Sequence, residues 1–388
     1  MLLLENLDPA KRINAPNDFR PALEFDGKAG VATLPAVPGN DVPSFEQFLQ
    51  EQGFDPEQYE VVGTARTSRW QTYHGDWLTS YRFNFQLISS TIADNYPLLW
   101  TTAKRNSKKT TKPISLNADK ALVVMLADFQ IGKVDYLGNT DDQLVRIFEA
   151  FDRLEVLFRK GKYSQIVLAD LGDIVEGFTS KGDQQQLHHG GSIMKQVDIS
   201  LSLMWDIIKR AAKIAPVTYA SIASNHCQNR INKQQVGLPG QDDWGIFIAQ
   251  QIQKLTKETD LEISVLIPQP EDESLALDVF GDKFHILGLW HGHQSSRPEG
   301  VLTWWEKQTF GNQPVASASI ALTGHFHHLR VQEAGLHNNG GSRYWIQGKT
   351  MDNGSGWFRL GSGEQAQPGL TCFELHKGKH FTGSIFNV

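Results

Sequence analysis

The sequence predicts a mixed α and β fold, two packed sheets flanked by helices, preceded by a small N-terminal module. Three observations carry this expectation. Between about residues 121 and 255, short continuous apolar runs alternate with amphipathic stretches, the pattern of buried strands and covering helices. From residue 261 onward, strand-like segments dominate. Five of the strand ends carry Asp, Gln, Asn or His, where open sheets place their ligand sites.

Residues 1 to about 40 carry Pro, Gly and Asn with little periodicity and read as an irregular arm. Ser44-Phe-Glu-Gln47 is a capping box opening a short helix that Gly53 ends. Asp55-Pro56 reads as the cap and first turn of another helix. Residues 78–87 alternate as a half-buried strand, with Tyr81, Phe83, Phe85 and Leu87 on one face. Arg66, Arg69, Trp70, Trp77 and Arg82 make this module basic and aromatic. A small core with solvated arginines outweighs nucleic-acid binding as the explanation. The stretch 104–112, Lys-Arg-Asn-Ser-Lys-Lys-Thr-Thr-Lys, is apolar-free and reads as a linker.

The main domain opens on Ala121-Leu-Val-Val-Met-Leu-Ala, an apolar run that ends in Asp128, Gln130 and Gly132. A helix follows over 141–159, with Leu144, Ile147, Phe148, Phe151, Leu154 and Phe158 on one stripe. Residues 166–169 and 217–223 read as buried strands, and 193–214 and 244–255 as amphipathic helices. Strands are then expected over 261–267, 275–279, 283–289, 319–322, 329–333 and 344–347. Pro298 and Glu299 open a short helix carrying Trp304 and Trp305.

Composition bounds the function. The chain has 388 residues, enough for one large domain plus a small one. A net charge of −6 excludes a surface that binds polyanions everywhere, so a nucleic-acid partner needs a local patch or a metal site. Two separated cysteines, Cys227 and Cys372, exclude a disulfide scaffold and fit a reducing cytosol. Met1-Leu-Leu-Leu-Glu lacks a basic n-region, so no signal peptide is expected, and no apolar run suggests a membrane span.

The five strand ends are Asp128-Phe-Gln130, Gly172-Asp173-Ile-Val-Glu176, Ser224-Asn225-His226-Cys227, Trp290-His291-Gly-His293 and Gly324-His325-Phe-His327. Carboxylate, carboxamide and imidazole together suit Mn, Fe, Zn or Ni better than Ca or Mg. No thiolate cluster appears, which argues against a structural zinc site. His291 lies nearer its strand end than His293 and is the preferred ligand. Asp170 reads as a turn or cap residue, Glu176 as a supporting group, His285 as core and Cys227 as a packed thiol. His188, His189, His328 and His337 read as loop residues. Arg230 is a candidate phosphate contact by its charge alone.

From Asp128 to His327, about half of the chain, this order resembles that of the calcineurin-like metallophosphoesterases: D-x-H, G-D-x-x-E/D, G-N-H-E/D, H, G-H-x-H. It is most similar to their nuclease branch, which holds the double-strand-break repair nucleases. The tail Tyr344-Trp-Ile-Gln…Asn353-Gly-Ser-Gly-Trp357 and the Trp304-Trp305 helix are similar to versions carried by phages and prophages.

The resemblance implies a four-layer αββα sandwich of α+β class over 118–388. An arm and accessory domain over 1–102 and a basic linker over 103–117 would precede it. It also implies two divalent ions, manganese first and iron, zinc or nickel as alternatives. Asp128, Gln130, Asp173 and His327 would hold the first, with Asp173 bridging to a second held by Asn225, His291 and His325. Two cations roughly 3.5–4 Å apart need a shared anionic ligand and would acidify a bridging water into the nucleophilic hydroxide. His226 would stabilise the pentavalent phosphorus or protonate the leaving oxygen. Nucleic acid, in the first place DNA, is then the implied substrate of a nuclease or exonuclease. Related repair nucleases work as homodimers with an ATPase partner, although no coiled-coil or ATPase-docking segment stands out here. The location implied is the cytoplasm of a bacterial host, with the gene borne by host or phage.

Two departures from the family matter. Gln130 replaces a histidine, and a neutral amide oxygen should weaken the first site. Cys227 replaces the acid that would keep His226 protonated, so that proton needs a carboxylate from elsewhere. Three functions follow: a metal-dependent phosphodiesterase on nucleic acid, a phosphoesterase on a small nucleotide or phosphomonoester, or a catalytically weak scaffold that binds a partner.

Overall fold

The computed structural model describes residues 21–26, 29–38, 44–72, 74–87, 119–177, 191–231, 234–356, 359–360, 363 and 365–388. The expected 102/103 boundary, the 103–117 linker, His188, His189 and Trp357 lie outside them. The chain divides into two compact units, Met1–Ser90 and Thr91–Val388.

The first unit runs β1 (Ala22–Phe25), β2 (Ala29–Thr33), β3 (Val37–Pro38), α1 (Phe45–Glu51), β4 (Tyr59–Gln71) and β5 (Trp77–Leu87). Ser44 caps α1 by accepting from the Gln47 N–H at 3.2 Å. Along β5, Tyr81, Phe83 and Phe85 are buried while Arg82, Asn84 and Gln86 are exposed, the expected period of two. They pack with Ala32, Leu34, Phe45, Phe48 and Leu49 into one core. Three expectations are corrected here. The arm is not irregular throughout, because β1, β2 and β3 form within it. Asp55-Pro56 opens only a 3₁₀ turn, Pro56–Gln58. β4 was not anticipated: most of its residues are exposed, so its sequence carries little alternation, and it is held by its ladder to β5.

The second unit runs β6 (Lys120–Leu126), α2 (Thr140–Gly161), β7 (Gln165–Asp170), α3 (Ile193–Ala212), β8 (Val217–Ser221), β9 (Arg230–Ile231) and β10 (Gln234–Gln235). It continues with α4 (Trp244–Thr256), β11 (Ile263–Leu266), β12 (Ser274–Asp278), β13 (Ile286–Trp290), α5 (Gly300–Phe310) and β14 (Ile320–Thr323). It ends with β15 (Arg330–Leu336), β16 (Ser342–Gln347), β17 (Thr371–His376) and β18 (Phe386–Asn387).

One sheet has the order β11-β8-β7-β6-β17-β18 and the other β12-β13-β14-β16-β15. Strands β11, β8, β7 and β6 run parallel to one another, as do β13, β14 and β16, while β17, β12 and β15 join them antiparallel. In β6 the alternate residues Leu122, Val124 and Leu126 pack against α2, α3 and α4, joined by Leu144, Leu203 and Ile248. Ala121, Val123 and Met125 turn the other way and meet Leu287, Leu289, Ile320, Leu322 and Ile346 of the second sheet. That sheet's far face, with Trp290, Ala321 and Trp345, is covered by Val301 and Trp305 of α5. A parallel strand buried on both faces needs such an unbroken apolar run.

The unit is thus a mixture of helices and two sheets, as expected at that level. The strands β17 and β18 and the β9–β10 hairpin were not anticipated. β17 pairs antiparallel with β6 from Thr371↔Met125 to His376↔Lys120, so it extends the first sheet from the far end of the chain. Among the described residues, no helix is long and apolar enough to cross a membrane.

Candidate metal centre

The loops after β6, β7, β8, β13 and β14 converge. The loop after β6 is tied to the loop after β7 by Asp128 N–H to Gly172 O at 3.1 Å and Gln130 N–H to Asp173 O at 2.8 Å. Asp173 is fixed from the β8 side: its N–H donates to Ser224 Oγ at 2.7 Å, and its Oδ1 accepts the His226 N–H at 2.8 Å. Asp243, the N-cap of α4, holds the Ser224 N–H at 2.9 Å. Asp128 accepts the His325 N–H on both oxygens, at 3.1 and 2.9 Å.

These loops adopt strained backbone. Among the described residues, nine non-glycines have φ in the left-handed region, and Asp128, Gln130, Asp173, His325 and His327 are five of them. Such conformations cost energy and persist where surrounding contacts enforce them. Two glycines permit the crowding. A Cβ on Gly172 would lie 2.4 Å from Ser224 Cβ, and one on Gly324 2.5 Å from Asp128 Oδ2.

Asp173, His291 and His325 each offer a ligand atom, and these atoms lie within 4.8 Å of one another. His291 Nδ1 sits 2.7 Å from Leu171 O, which places the ring proton on Nδ1. Nε2 then faces Asp173 Oδ2 at 2.9 Å, an ion pair when that nitrogen carries a proton and two opposed acceptors when it does not. Both atoms, and Asn225 Oδ1 in the β8 loop, are buried without a hydrogen-bond partner among the described residues. Such a pocket calls for a positive charge, a proton or a metal ion. Burial opposes charge on His291, but Asp173 and Asp128 outweigh it and push the ring up to about 9. Burial and the neighbouring His291 push His325 down to about 2, so it stays neutral as a ligand must. Although burial opposes it, His291 and His226 hold Asp173 well below the usual carboxylate range. A carboxylate, two imidazoles and a nearby carboxamide fit a divalent transition metal.

The rest of the cluster is organised around a lysine that the sequence did not single out. Lys133 Nζ donates to Gln130 Oε1 at 2.7 Å and pairs closely with Asp352 Oδ2. Asp352 Oδ2 also faces His327 Nδ1 at 3.1 Å, and His327 Nε2 faces Asp128 Oδ1 at 3.4 Å. Gln130 Nε2 lies 3.1 Å from His226 Nε2. His226 Nδ1 lies 3.0 Å from Glu176 O and 3.3 Å from Glu176 Oε2. Glu176 thus places a carboxylate beside the His226 ring. Cys227 itself is buried, and burial raises its thiol well above the usual range, as befits a packed residue. Asp170 is structural, accepting from Tyr219 Oη at 2.6 Å, Ser221 Oγ at 2.8 Å and the Gly172 N–H at 3.1 Å.

Gln130, Lys133, Asp173, His226, His325, His327 and Asp352 line a cleft of about 720 Å³. Asp128 and His291 lie beneath and Asp173 at the base of the lining, all 0% exposed, while His226 and His327 side chains are 12% and 21% exposed. Arg230 stands apart from the cluster. It sits on β9, its Nη2 donates to Gln228 Oε1 at 3.1 Å, and it is not part of the cleft lining. The missed residues had faint signals. Lys133 follows Gly132 in the Asp128 loop, and Asp352 follows β16, which lies parallel to β14 in the same sheet.

No protein-family model matches this chain, and no curated protein matches it. Among solved structures it is similar to GAP50, the anchor in the inner membrane complex of Plasmodium. The identity is 10% over 69% of this chain and 88% of that one, with a TM-score of 0.28. A likeness at that level carries no argument about this chain.

Proposed function

We propose that this chain is a divalent-metal-dependent phosphodiesterase acting on nucleic acid, with manganese as the first candidate ion, and that Thr91–Val388 is a metallophosphoesterase-like αββα sandwich. The observation that carries the proposal is the convergence of Asp173, His291 and His325 from three separate strand ends, their ligand atoms within 4.8 Å of one another, with Asp128 and His327 beside them.

A divalent cation bound there would polarise a phosphoryl oxygen and acidify a water. The chain's own groups do the rest. His226 has its backbone N–H on Asp173 and its Nδ1 against Glu176, so its Nε2 is held at the cleft. Once protonated and released from the Gln130 amide nitrogen 3.1 Å away, Nε2 delivers its proton to the leaving oxygen, and Glu176 supports the charged ring. Lys133 adds a fixed positive charge beside the phosphoryl group. The floor formed by Asp128, Asp173 and His291 excludes bulk water, which strengthens each of these interactions. In the N-terminal unit, Trp77 is 48% exposed and the Arg69 guanidinium lies 5.0 Å from its ring centre. Such a pair offers a nucleobase a stacking face and a positive charge.

A second function is favoured by the size of the cleft. About 720 Å³ falls within the roughly 300–1,000 Å³ of small-molecule sites, which suits a nucleotide or phosphomonoester. The test is cleavage of labelled single- and double-stranded DNA with Mn²⁺, beside Asp173→Asn. The expected result is cleavage by wild type and a loss of at least about 100-fold in the variant, the scale of a main electrostatic group. Turnover of small esters with no nucleic-acid cleavage would reject the nucleic-acid substrate. Turnover of neither would reject the enzyme.

A further inference from the structure

Resting on that metal-dependent reading, we infer that the centre holds one divalent cation, on Asp173, His291 and His325, and that the Lys133 ammonium occupies the role of a second. The two halves of the cluster differ in how their polar atoms are satisfied. In one half, Asp173 Oδ2 and His291 Nε2 meet only each other, at 2.9 Å, and Asn225 Oδ1 is buried with no hydrogen-bond partner among the described residues. In the other half the ligand atoms are already engaged.

Gln130 shows this most directly. An ammonium carries donors only, so the Gln130 atom 2.7 Å from Lys133 Nζ is the amide oxygen. That oxygen is the atom a first metal ion would need. The amide nitrogen, turned the other way, meets His226 Nε2 at 3.1 Å and has no lone pair to offer a cation. His327 is likewise engaged, Nδ1 on Asp352 at 3.1 Å and Nε2 toward Asp128 at 3.4 Å. Asp352 anchors Lys133, and both are buried, at 1% and 5% exposed. The ammonium is therefore part of the folded core and not a surface charge that swings in. A divalent ion on Gln130 Oε1 would share one atom with a like charge.

This arrangement explains the substitution of glutamine for the family histidine. An amide oxygen accepts from an ammonium, whereas an imidazole holding a metal ion would repel it. It also gives the cleft a cation that needs no loading and cannot be removed by chelation. The phosphoryl group would be clamped between one divalent ion and one lysine.

The test is a count of ions. Full-length protein is stripped with a chelator, reloaded with Mn²⁺ and freed of excess. Elemental analysis then gives Mn per chain, and electron paramagnetic resonance reports whether ions are coupled. The expected result is one Mn per chain with the spectrum of an isolated ion, retained in Gln130→Ala and lost in His291→Ala. Two spin-coupled ions in wild type would overturn the inference and leave the phosphodiesterase proposal standing. No bound ion would overturn both. An ion lost in Gln130→Ala, or kept in His291→Ala, would also overturn the inference, and the wild-type count decides the matter even where a variant fails to fold.

Discussion

Replacing Lys133 by Met keeps most of the apolar stem of the side chain and removes its ammonium, with the charge and the hydrogen bonds to Gln130 and Asp352. Asp352 is then left 1% exposed without its closest cation. It retains the Gly354 N–H on Oδ1 at 3.0 Å and His327 Nδ1 near Oδ2 at 3.1 Å. Breaking a buried ion pair from one side costs about 3–5 kcal/mol. The surviving partners place this case toward the lower end, about 3 kcal/mol. At roughly 2–4 °C per kcal/mol for domains of somewhat smaller size, the expected fall in Tm is about 5–10 °C. Differential scanning calorimetry of chelated protein, reading the transition of the Thr91–Val388 unit, measures it. The double variant Lys133→Met with Asp352→Leu should recover at least half of the loss, because no buried charge remains unpaired. A fall below about 2 °C for Lys133→Met, or a double variant no better than the single one, would refute the reasoning.

The remaining predictions concern the histidines. Burial works against a charged His327, but Asp352 and Asp128 push it up to about 10 in the fold, against about 6.5 when unfolded. Its contribution to stability is therefore full below about pH 6.5, fades as pH rises and is gone above about pH 10. The Tm gap between wild type and His327→Gln, in chelator, should close over that window, and a constant gap would contradict it. His226→Ala should lower kcat by about 10²–10⁴-fold with Mn content unchanged. Burial opposes protonation of His226, and Asp173 and Glu176 raise it. Glu176→Gln should therefore move the alkaline limb of the pH–rate profile to lower pH, and an unmoved limb would remove Glu176 from the account.

The second unit was largely legible because its strands and helices are buried. The unbroken run of β6 and the stripe Leu144, Ile147, Phe151, Leu154 and Phe158 of α2 are dictated by faces that must be covered. Where burial is weak, legibility fails. β4 is mostly exposed, and its strand conformation comes from β5. β17 was missed because its partner β6 lies some 250 residues earlier, as Thr371↔Met125 shows. The cluster residues were found because His, Asp and Asn at strand ends are conspicuous. Lys133 was not, since a lysine after glycine in a loop is usually a solvated charge, and its meaning depends on Asp352, 219 residues away. Arg230 was named on charge alone, and charge says nothing of direction; its Nη2 donates to Gln228 Oε1.

The most direct measurement is anomalous diffraction at the manganese edge from crystals of the Mn²⁺-loaded protein. One peak bonded to Asp173, His291 and His325, with none at Gln130 beside Lys133, is the result expected. An empty map at that triad would contradict the metal centre, and a paired second peak at Gln130 would contradict the role given to Lys133.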